Sequence, residues 1–369
     1  MNATGGRIVV KVGTSTLTDD AGRIDGAYLN SLAAQLASLR AEGNRVVLVT
    51  SGAISAGVET LELPERPTDM SDLQATASVG QAALIATWAA ALAAHGMVVG
   101  QVLLTRHDTA HRQAYLLACQ TLDRLLEMGV VPVVNENDTT AVDEIRFGDN
   151  DTLAALVGIM VRAELVVLLS DIEGVYDADP RSGLGATLVE HVDHVSDDLV
   201  SAAGGPGSAH GSGGMATKID AARVLMKAGI PMVVCDGRRP GVVADAAAGR
   251  PVGTYFAPRD ATVGGRKLWI AYGRSPAGSI TVDDGARRAL TERGGSLLPA
   301  GVVGVAGAFS AGEAVDLLGP DGVVFARGLA DMSATDVDSV MGTTSVAIAE
   351  ARPGLTGLEV VHRDRLVIL

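Results

Sequence analysis

The sequence predicts an α/β fold, a mostly parallel sheet sandwiched by helices, followed by a small β-rich domain. Three observations carry this reading. Up to about residue 255, short β-branched runs alternate with longer helical patterns, the signature of a parallel sheet covered on both faces. Helical patterns stop at Gly43, Gly96, Gly129 and Gly229, each just before a strand-like run; glycine is the residue that most readily closes a helix. From residue 258 the pattern changes to short β-like runs separated by Gly-rich turns, which reads as a second domain.

In chain order, the strand candidates of the first part are residues 7–11, 45–50, 97–104, 130–134, 165–170 and 231–235. Amphipathic stretches at 28–42, 71–94, 112–128, 152–162 and 215–228 lie between them. Residues 258–275 are rich in Gly, Pro and basic residues and read as a linker with one strand, 268–272. Further strand candidates follow at 279–282, 302–305, 314–318, 323–328 and 360–369. The expected domains are therefore 1–257 and 276–369, in keeping with a 369-residue chain that exceeds one typical core.

Apolar residues make up 47% of the chain and aromatics 3%, with 45 glycines, a composition suited to close packing with many tight turns. A formal net charge of −14 argues against nonspecific binding to nucleic acid or to anionic membranes, both of which need a positive surface. It also means that any anionic substrate needs locally concentrated positive charge. Cys119 and Cys235 are the two cysteines; they are far apart and show no metal or disulfide spacing, so both read as small buried hydrophobes. Residues 1–6 lack a signal pattern, and a cytoplasmic location is expected. Residues 82–105 contain no Asp, Glu, Lys or Arg, long enough for a membrane span. His95-Gly96 divides that run into an Ala-rich helical part and a buried strand, so no membrane span is expected.

The ligand edge of such a sheet lies at the carboxyl ends of its strands, and the chemistry-bearing residues gather there. Lys11-Val12-Gly13-Thr14-Ser15 follows the first strand, where a lysine, a glycine turn and two hydroxyls can surround phosphate oxygens. It is not a Walker A loop, because the lysine precedes the glycine; a solvent-facing strand-end lysine is the plain alternative. Thr50-Ser51-Gly52-Ala53 ends the second strand; its freed backbone N–H groups can bind a carboxylate, or Ser51 can be an ordinary helix cap. Asn135-Glu136-Asn137-Asp138 and Gly148-Asp149-Asn150-Asp151 bracket one polar loop. Their side-chain oxygens can hold an ammonium group or a metal, while Asp149 or Asn150 can instead cap the next helix. Ser170-Asp171 closes another strand and leads into a long connection containing Asp179-Pro180-Arg181.

Gly211-Ser212-Gly213-Gly214-Met215-Ala216-Thr217-Lys218 ends a Gly-rich loop and opens a helix, allowing close backbone approach to a phosphate or simply a flexible surface loop. No dinucleotide fingerprint, nucleophile elbow or zinc-protease spacing is present. His107, His111 and His210 read as satisfied or surface histidines.

Taken in order, these motifs resemble the amino-acid kinase family. The tail segments Ile280-Thr281-Val282-Asp283-Asp284-Gly285-Ala286 and Gly295-Ser296-Leu297-Leu298-Pro299 are similar to the PUA domain joined to the glutamate-phosphorylating branch of that family. The resemblance spans roughly residues 7–365 and rests on the ordered set of motifs. It implies ATP and Mg²⁺ as co-substrates, L-glutamate as acceptor, and L-glutamyl 5-phosphate and ADP as products, at the first step of proline biosynthesis. It further implies proline as a feedback inhibitor and a homo-oligomeric assembly. Carried over by position, Lys11 and Lys218 contact the phosphates and Asp151 orients the two lysines. Glutamate falls to Ser51, Gly52, Ala53, Asn135, Asp138 and Asn150. ATP falls to Lys11, Gly13, Ser170 and Asp171, and to Ser212, Gly213, Gly214, Met215, Ala216, Thr217 and Lys218. No protein ligand for the metal is implied; the nucleotide phosphates hold it.

Two departures are mild. Ser170 stands where threonine is common and keeps the hydroxyl, whereas Ala216 stands where serine is common and loses a contact to ATP. Two other functions compete: a sister kinase acting on acetylglutamate or aspartate, and an RNA-binding regulatory protein acting through its PUA domain. Residues 276–369 hold seven arginines and no lysine against twelve Asp and Glu, which speaks against RNA.

Overall fold

The computed structural model describes residues 5–105, 108, 112–140, 150–178, 185–202, 214–259, 276–344, 347–348 and 359–369. The described residues fall into two compact units, 5–259 and 276–369. In the first unit the chain runs β1 (Arg7–Val12), α1 (Thr14–Leu17), α2 (Gly26–Ala41), β2 (Arg45–Thr50), α3 (Ala53–Thr60), α4 (Met70–Ala93) and β3 (Val99–Leu104). It continues with α5 (Arg112–Glu127), β4 (Val131–Glu136), α6 (Asn150–Met160), β5 (Leu165–Ser170), β6 (His191–Val192) and α7 (Asp197–Ala202). The last elements are α8 (Met215–Lys227), β7 (Met232–Asp236), α9 (Val242–Ala247) and β8 (Thr254–Phe256). The eight strands form one sheet in the order β3-β4-β2-β1-β5-β7-β8-β6. Only β7 and β8 pair antiparallel; all other neighbours are parallel.

The continuous apolar runs have a direct cause. In β1 both parities are buried: Ile8, Val10 and Val12 pack into the core beneath α2, α4 and α9, while Val9 points the other way and is also fully buried. That second face is covered by α6, which contacts β1 and β5 and packs on α8. Residues of odd number in β1 therefore face α6, which places Lys11 there, one residue from the strand's end. The glycine stops work as the sequence suggests. At Gly43 (φ 92°), its N–H donates to the Arg40 carbonyl and the Asn44 N–H to the Leu39 carbonyl, the paired bonds of a Schellman closure. The same pair of bonds ends the helices at Gly96, Gly129 and Gly229.

One expectation is corrected. The run at 97–104 is not a buried strand: β3 is the edge of the sheet, and five of its six residues are only partly buried or exposed. An edge strand has one ladder partner and incomplete cover, so its apolar run reflects partial burial. The preceding α4 is long and apolar enough to cross a membrane, yet its Leu84, Trp88 and Leu92 belong to the core of this unit.

The second unit holds a five-stranded sheet, β10 (Val302–Gly307), β9 (Gly278–Val282), β11 (Ala314–Leu318), β12 (Val324–Leu329) and β13 (Leu366–Ile368), in that spatial order. Only β9 and β11 pair parallel. Two helices, α10 (Asp284–Arg293) and α11 (Ala334–Val340), pack with it and were not expected from the sequence. Their caps are legible in retrospect: the Asp283 carboxylate accepts from the Ala286 N–H and the Ser333 hydroxyl from the Asp336 N–H. The strand expected at 268–272 lies outside the described residues.

The α3–α4 crossing positions the ligand edge. A Cβ on Gly80 would overlap the Ala53 carbonyl oxygen and the Gly57 nitrogen, and one on Gly57 would overlap the Thr76 carbonyl. Two glycines thus let the helix backbones touch and set where α3 begins. Gly80→Ala should lower stability by about 1–3 kcal/mol through overpacking. A fall in the denaturation midpoint checks this; an unchanged midpoint would show that the crossing has slack.

Candidate active site

Strand order converts the linear motifs into a spatial sequence. Along the carboxyl edge, β4 presents Asn135 and Glu136, β2 leads into Ser51, β1 presents Lys11 and leads into Gly13, and β5 ends on Ser170 and leads into Asp171. With neighbouring strands about 4.8 Å apart, the β4-to-β5 span is roughly 14 Å, enough for two ligands end to end. A cleft of about 480 Å³ runs along this edge. It is lined by Lys11, Gly13, Ser51, Gly52, Ala53, Asn135, Asp138, Asn150, Ser170, Asp171 and Lys218, together with Thr14, Ser15, Ile54, Ser55, Arg66, Glu136 and Leu169.

At the middle of the edge sits a buried charge cluster. Lys11 Nζ lies 2.5 Å from Asp151 Oδ1 and Lys218 Nζ lies 3.1 Å from Asp151 Oδ2. Asp151 is fully buried, and Lys11 and Lys218 are 3% and 7% exposed. The Thr217 hydroxyl adds a hydrogen bond to Asp151 Oδ2 at 3.1 Å. Asp151 stands in the first turn of α6, where the helix dipole favours a negative charge. Lys218 stands in the first turn of α8, where the dipole disfavours a positive one. The carboxylate therefore compensates a locally unfavourable lysine. Burial pushes the Asp151 carboxyl up, but the charges and hydrogen bonds of Lys11 and Lys218 outweigh it and hold the group below its ordinary range. Two cations around one anion leave a net positive centre, which a chain of charge −14 needs wherever it accepts anions. Gly13 lies beside this centre: a Cβ there would sit 3.4 Å from Lys11 Nζ, in ordinary contact with it.

On the β2–β4 side, Asn150 ties three elements together. Its Nδ2 donates to the Thr50 carbonyl at 2.6 Å, to Ser51 Oγ at 2.8 Å and to Asn135 Oδ1 at 2.9 Å. The capping readings of Ser51 and Asn150 are thereby overturned. The residue capping α3 is Gly52, with φ 101°, a conformation only glycine adopts without strain. Asn150 is itself the first residue of α6 and turns its amide across the sheet edge. The start of α3, residues Ala53, Ile54 and Ser55, faces the cleft with helix N–H groups that lack intrahelical partners.

On the β5 side, Ser170 is buried and its hydroxyl donates to Asp171 Oδ1 at 3.2 Å. Gly214 caps α8, and Met215, Ala216 and Thr217 precede Lys218 in its first turn; these four do not line the cleft as Lys218 does. Ser212 and Gly213 lie outside the described residues, as do Gly148, Asp149, Asp179, Pro180, Arg181, His107, His111 and His210. Arg66, between α3 and α4, lines the cleft and was missed by sequence reasoning, because a single arginine in a Pro-flanked loop carries no motif. Among the described residues, no three His, Cys, Asp or Glu side chains converge as a metal site.

Residues 6–236 match the model of the amino acid kinase family, and residues 278–351 match that of the PUA domain. The chain belongs to the amino acid kinase family and carries a PUA domain at its end. Glutamate 5-kinase of Pelobacter propionicus is 47% identical over 363 residues, covering 98% of this chain and 97% of its own. Glutamate 5-kinase of Streptomyces avermitilis is 49% identical over 368 residues, covering 98% and 96%. Within the wider family, this chain is a member of the glutamate 5-kinases. Among solved structures, UMP kinase from Ureaplasma parvum aligns with 68% of this chain and 98% of its own at 16% identity and a TM-score of 0.48.

The charge cluster predicts an acid-sensitive fold. Because the Asp151 carboxyl is depressed below 3.8, its contribution to stability is fully present above that pH. It is lost as pH falls through the lower folded-state value. Asp151→Asn should cost about 3 kcal/mol at neutral pH by stranding two buried ammonium groups. It should also flatten the acid limb of a stability–pH profile below 3.8. A variant whose acid limb superimposes on that of the wild type would contradict this.

Proposed function

We propose that this protein transfers the γ-phosphoryl group of ATP to the side-chain carboxylate of L-glutamate, giving L-glutamyl 5-phosphate and ADP. The observation that carries the reading is the Lys11–Asp151–Lys218 cluster, placed at the junction between a β2–β4 half and a β5 half of one cleft. The relatives named above are glutamate 5-kinases, and the first step of proline biosynthesis follows from that activity.

The acceptor needs no general base. A glutamate side chain with a pKa near ~4.3 is already ionised at neutral pH, so the task is to align two anions and cancel their repulsion. In this reading the acceptor lies over Ser51, Gly52, Ala53, Asn135, Asp138 and Asn150. Asp138 offers a counter-charge to the α-ammonium group and Arg66 one to the α-carboxylate. The nucleotide lies over Gly13, Ser170 and Asp171 and the Gly-rich segment 212–218. Lys11 and Lys218 face the transferring group from either side of Asp151, which fixes both. Mg²⁺, carried by the nucleotide phosphates, supplies further charge neutralisation there. Proline is the proposed feedback ligand of the same polar groups, and residues 1–257 are proposed to hold the whole reaction, in the cytoplasm and in a homo-oligomer. The excess of acid in residues 276–369 disfavours an RNA-binding role.

An ADP-release assay with ATP and Mg²⁺ tests the reading. L-glutamate should support turnover, and acetylglutamate and aspartate should not; equal rates with either would assign a sister activity instead. Lys11→Ala and Lys218→Ala should each lower kcat by about 10²–10³, the usual cost of one lost transition-state donor. Retention of more than a third of wild-type kcat by either variant would remove that lysine from the chemical step.

A further inference from the structure

We infer that α4 is the ruler of the acceptor half, with Gln81 a positioning residue that acts through Asn135 and Trp88 one that acts through Thr50. The inference rests on the acceptor reading above and names residues that reading does not use. Neither lines the cleft. Gln81 and Trp88 are seven residues apart, two turns along one face of the helix, and both reach toward the sheet edge.

Asn150 donates to Thr50, Ser51 and Asn135 through a single amide nitrogen. An NH₂ group has two hydrogens. The Thr50 carbonyl accepts only, and Asn135 Oδ1 accepts only, so these two are the obligatory partners. The Ser51 oxygen shares a hydrogen and keeps its own O–H to donate to a substrate carboxylate. This arrangement requires Asn135 to present its oxygen, not its NH₂, to Asn150. Asn135 Oδ1 also accepts from the Glu136 N–H at 2.9 Å. The other end of the Asn135 amide donates to Gln81 Oε1 at 2.8 Å. Gln81 thus supplies the acceptor that satisfies the Asn135 NH₂ and holds the amide in the orientation Asn150 needs.

Trp88 anchors the opposite arm. Its ring is fully buried, and Nε1 donates to Thr50 Oγ1 at 3.1 Å. The Thr50 hydroxyl in turn donates to the Ser51 carbonyl at 3.0 Å. The two arms meet at Asn150, so α4 fixes both the peptide that carries Ser51 and the amide of Asn135. The Gly57–Gly80 contact brings this helix face against the start of α3 one residue before Gln81.

Gln81→Met keeps the length of the side chain and removes its acceptor. The expected result is a KM for L-glutamate raised about tenfold, the scale of one unpaired polar group, with the KM for ATP unchanged and the melting temperature lowered by only about 2–4 °C. In an Asn135→Ala background the same substitution should add nothing, since its effect passes through Asn135. Crystal structures of wild type and Gln81→Met should show the Asn150–Asn135 contact lengthened in the variant. Overturning results are an unchanged KM for glutamate, equal rises in both KM values, full additivity with Asn135→Ala, or an unmoved Asn135. If wild-type protein releases no ADP with glutamate, the acceptor assignment fails by itself, and the crystallographic comparison still decides whether Gln81 holds Asn135.

Discussion

The rest of the structure is organised around one buried carboxylate that holds two lysines. Asp151 reaches the cluster from the first turn of α6, Lys11 from the penultimate position of β1, and Lys218 from the first turn of α8. A lone buried ammonium group is expensive, and two near each other are worse; with Asp151 between them the cluster is both satisfied and net positive. The sheet and its helices then serve to hold three chain segments at fixed reach. β1 is paired on both sides, with β2 and β5, and α6 packs over it, so the lysine and its counter-ion are both buried in the interior of the unit.

The same strand order explains how one edge serves two substrates. In the proposed reading the acceptor groups belong to β2, β4 and α6 and the nucleotide groups to β5 and α8, with β1 lying between them in the sheet. No histidine is needed at the centre, because phosphoryl transfer to an ionised carboxylate asks for alignment and charge rather than proton transfer. In the proposed reading the specificity of the acceptor half rests on hydrogen-bond orientation, which α4 sets through Gln81 and Trp88 without lining the cleft.

Much of the fold was legible because local and global preferences agree. The strands 45–50 and 165–170 have in the structure the bounds read from their β-branched runs, and the glycine stops are closed by the expected backbone bonds. The edge position of β3 was not legible, since an apolar run looks the same at the edge of a sheet as at its centre. The short strands β6 and β8, two and three residues long, carry too few residues for a periodic signal. In the second unit, α10 and α11 were overlooked among β-like runs although Asp283 and Ser333 are good caps. The site residues stood out at strand ends and helix starts, but the pairing of Asp151 with the two lysines came from the family resemblance and not from spacing, since Asp151 and Lys218 lie 67 positions apart. The visible hint was a lysine placed against the dipole of its own helix. Gln81 and Trp88 were hidden inside an Ala-rich run that explained itself as core.

In the proposed mechanism Asp151 acts by fixing Lys11 and Lys218 for the transferring group. Its most direct test is kcat for glutamate-dependent ADP release by folded Asp151→Asn, at saturating ATP and L-glutamate, at a temperature well below the variant's melting point. The expected result is a fall of about 10²–10³ with both KM values changed much less, because each ligand would keep its own proposed half of the cleft. A folded variant that retains kcat within threefold of wild type would contradict it.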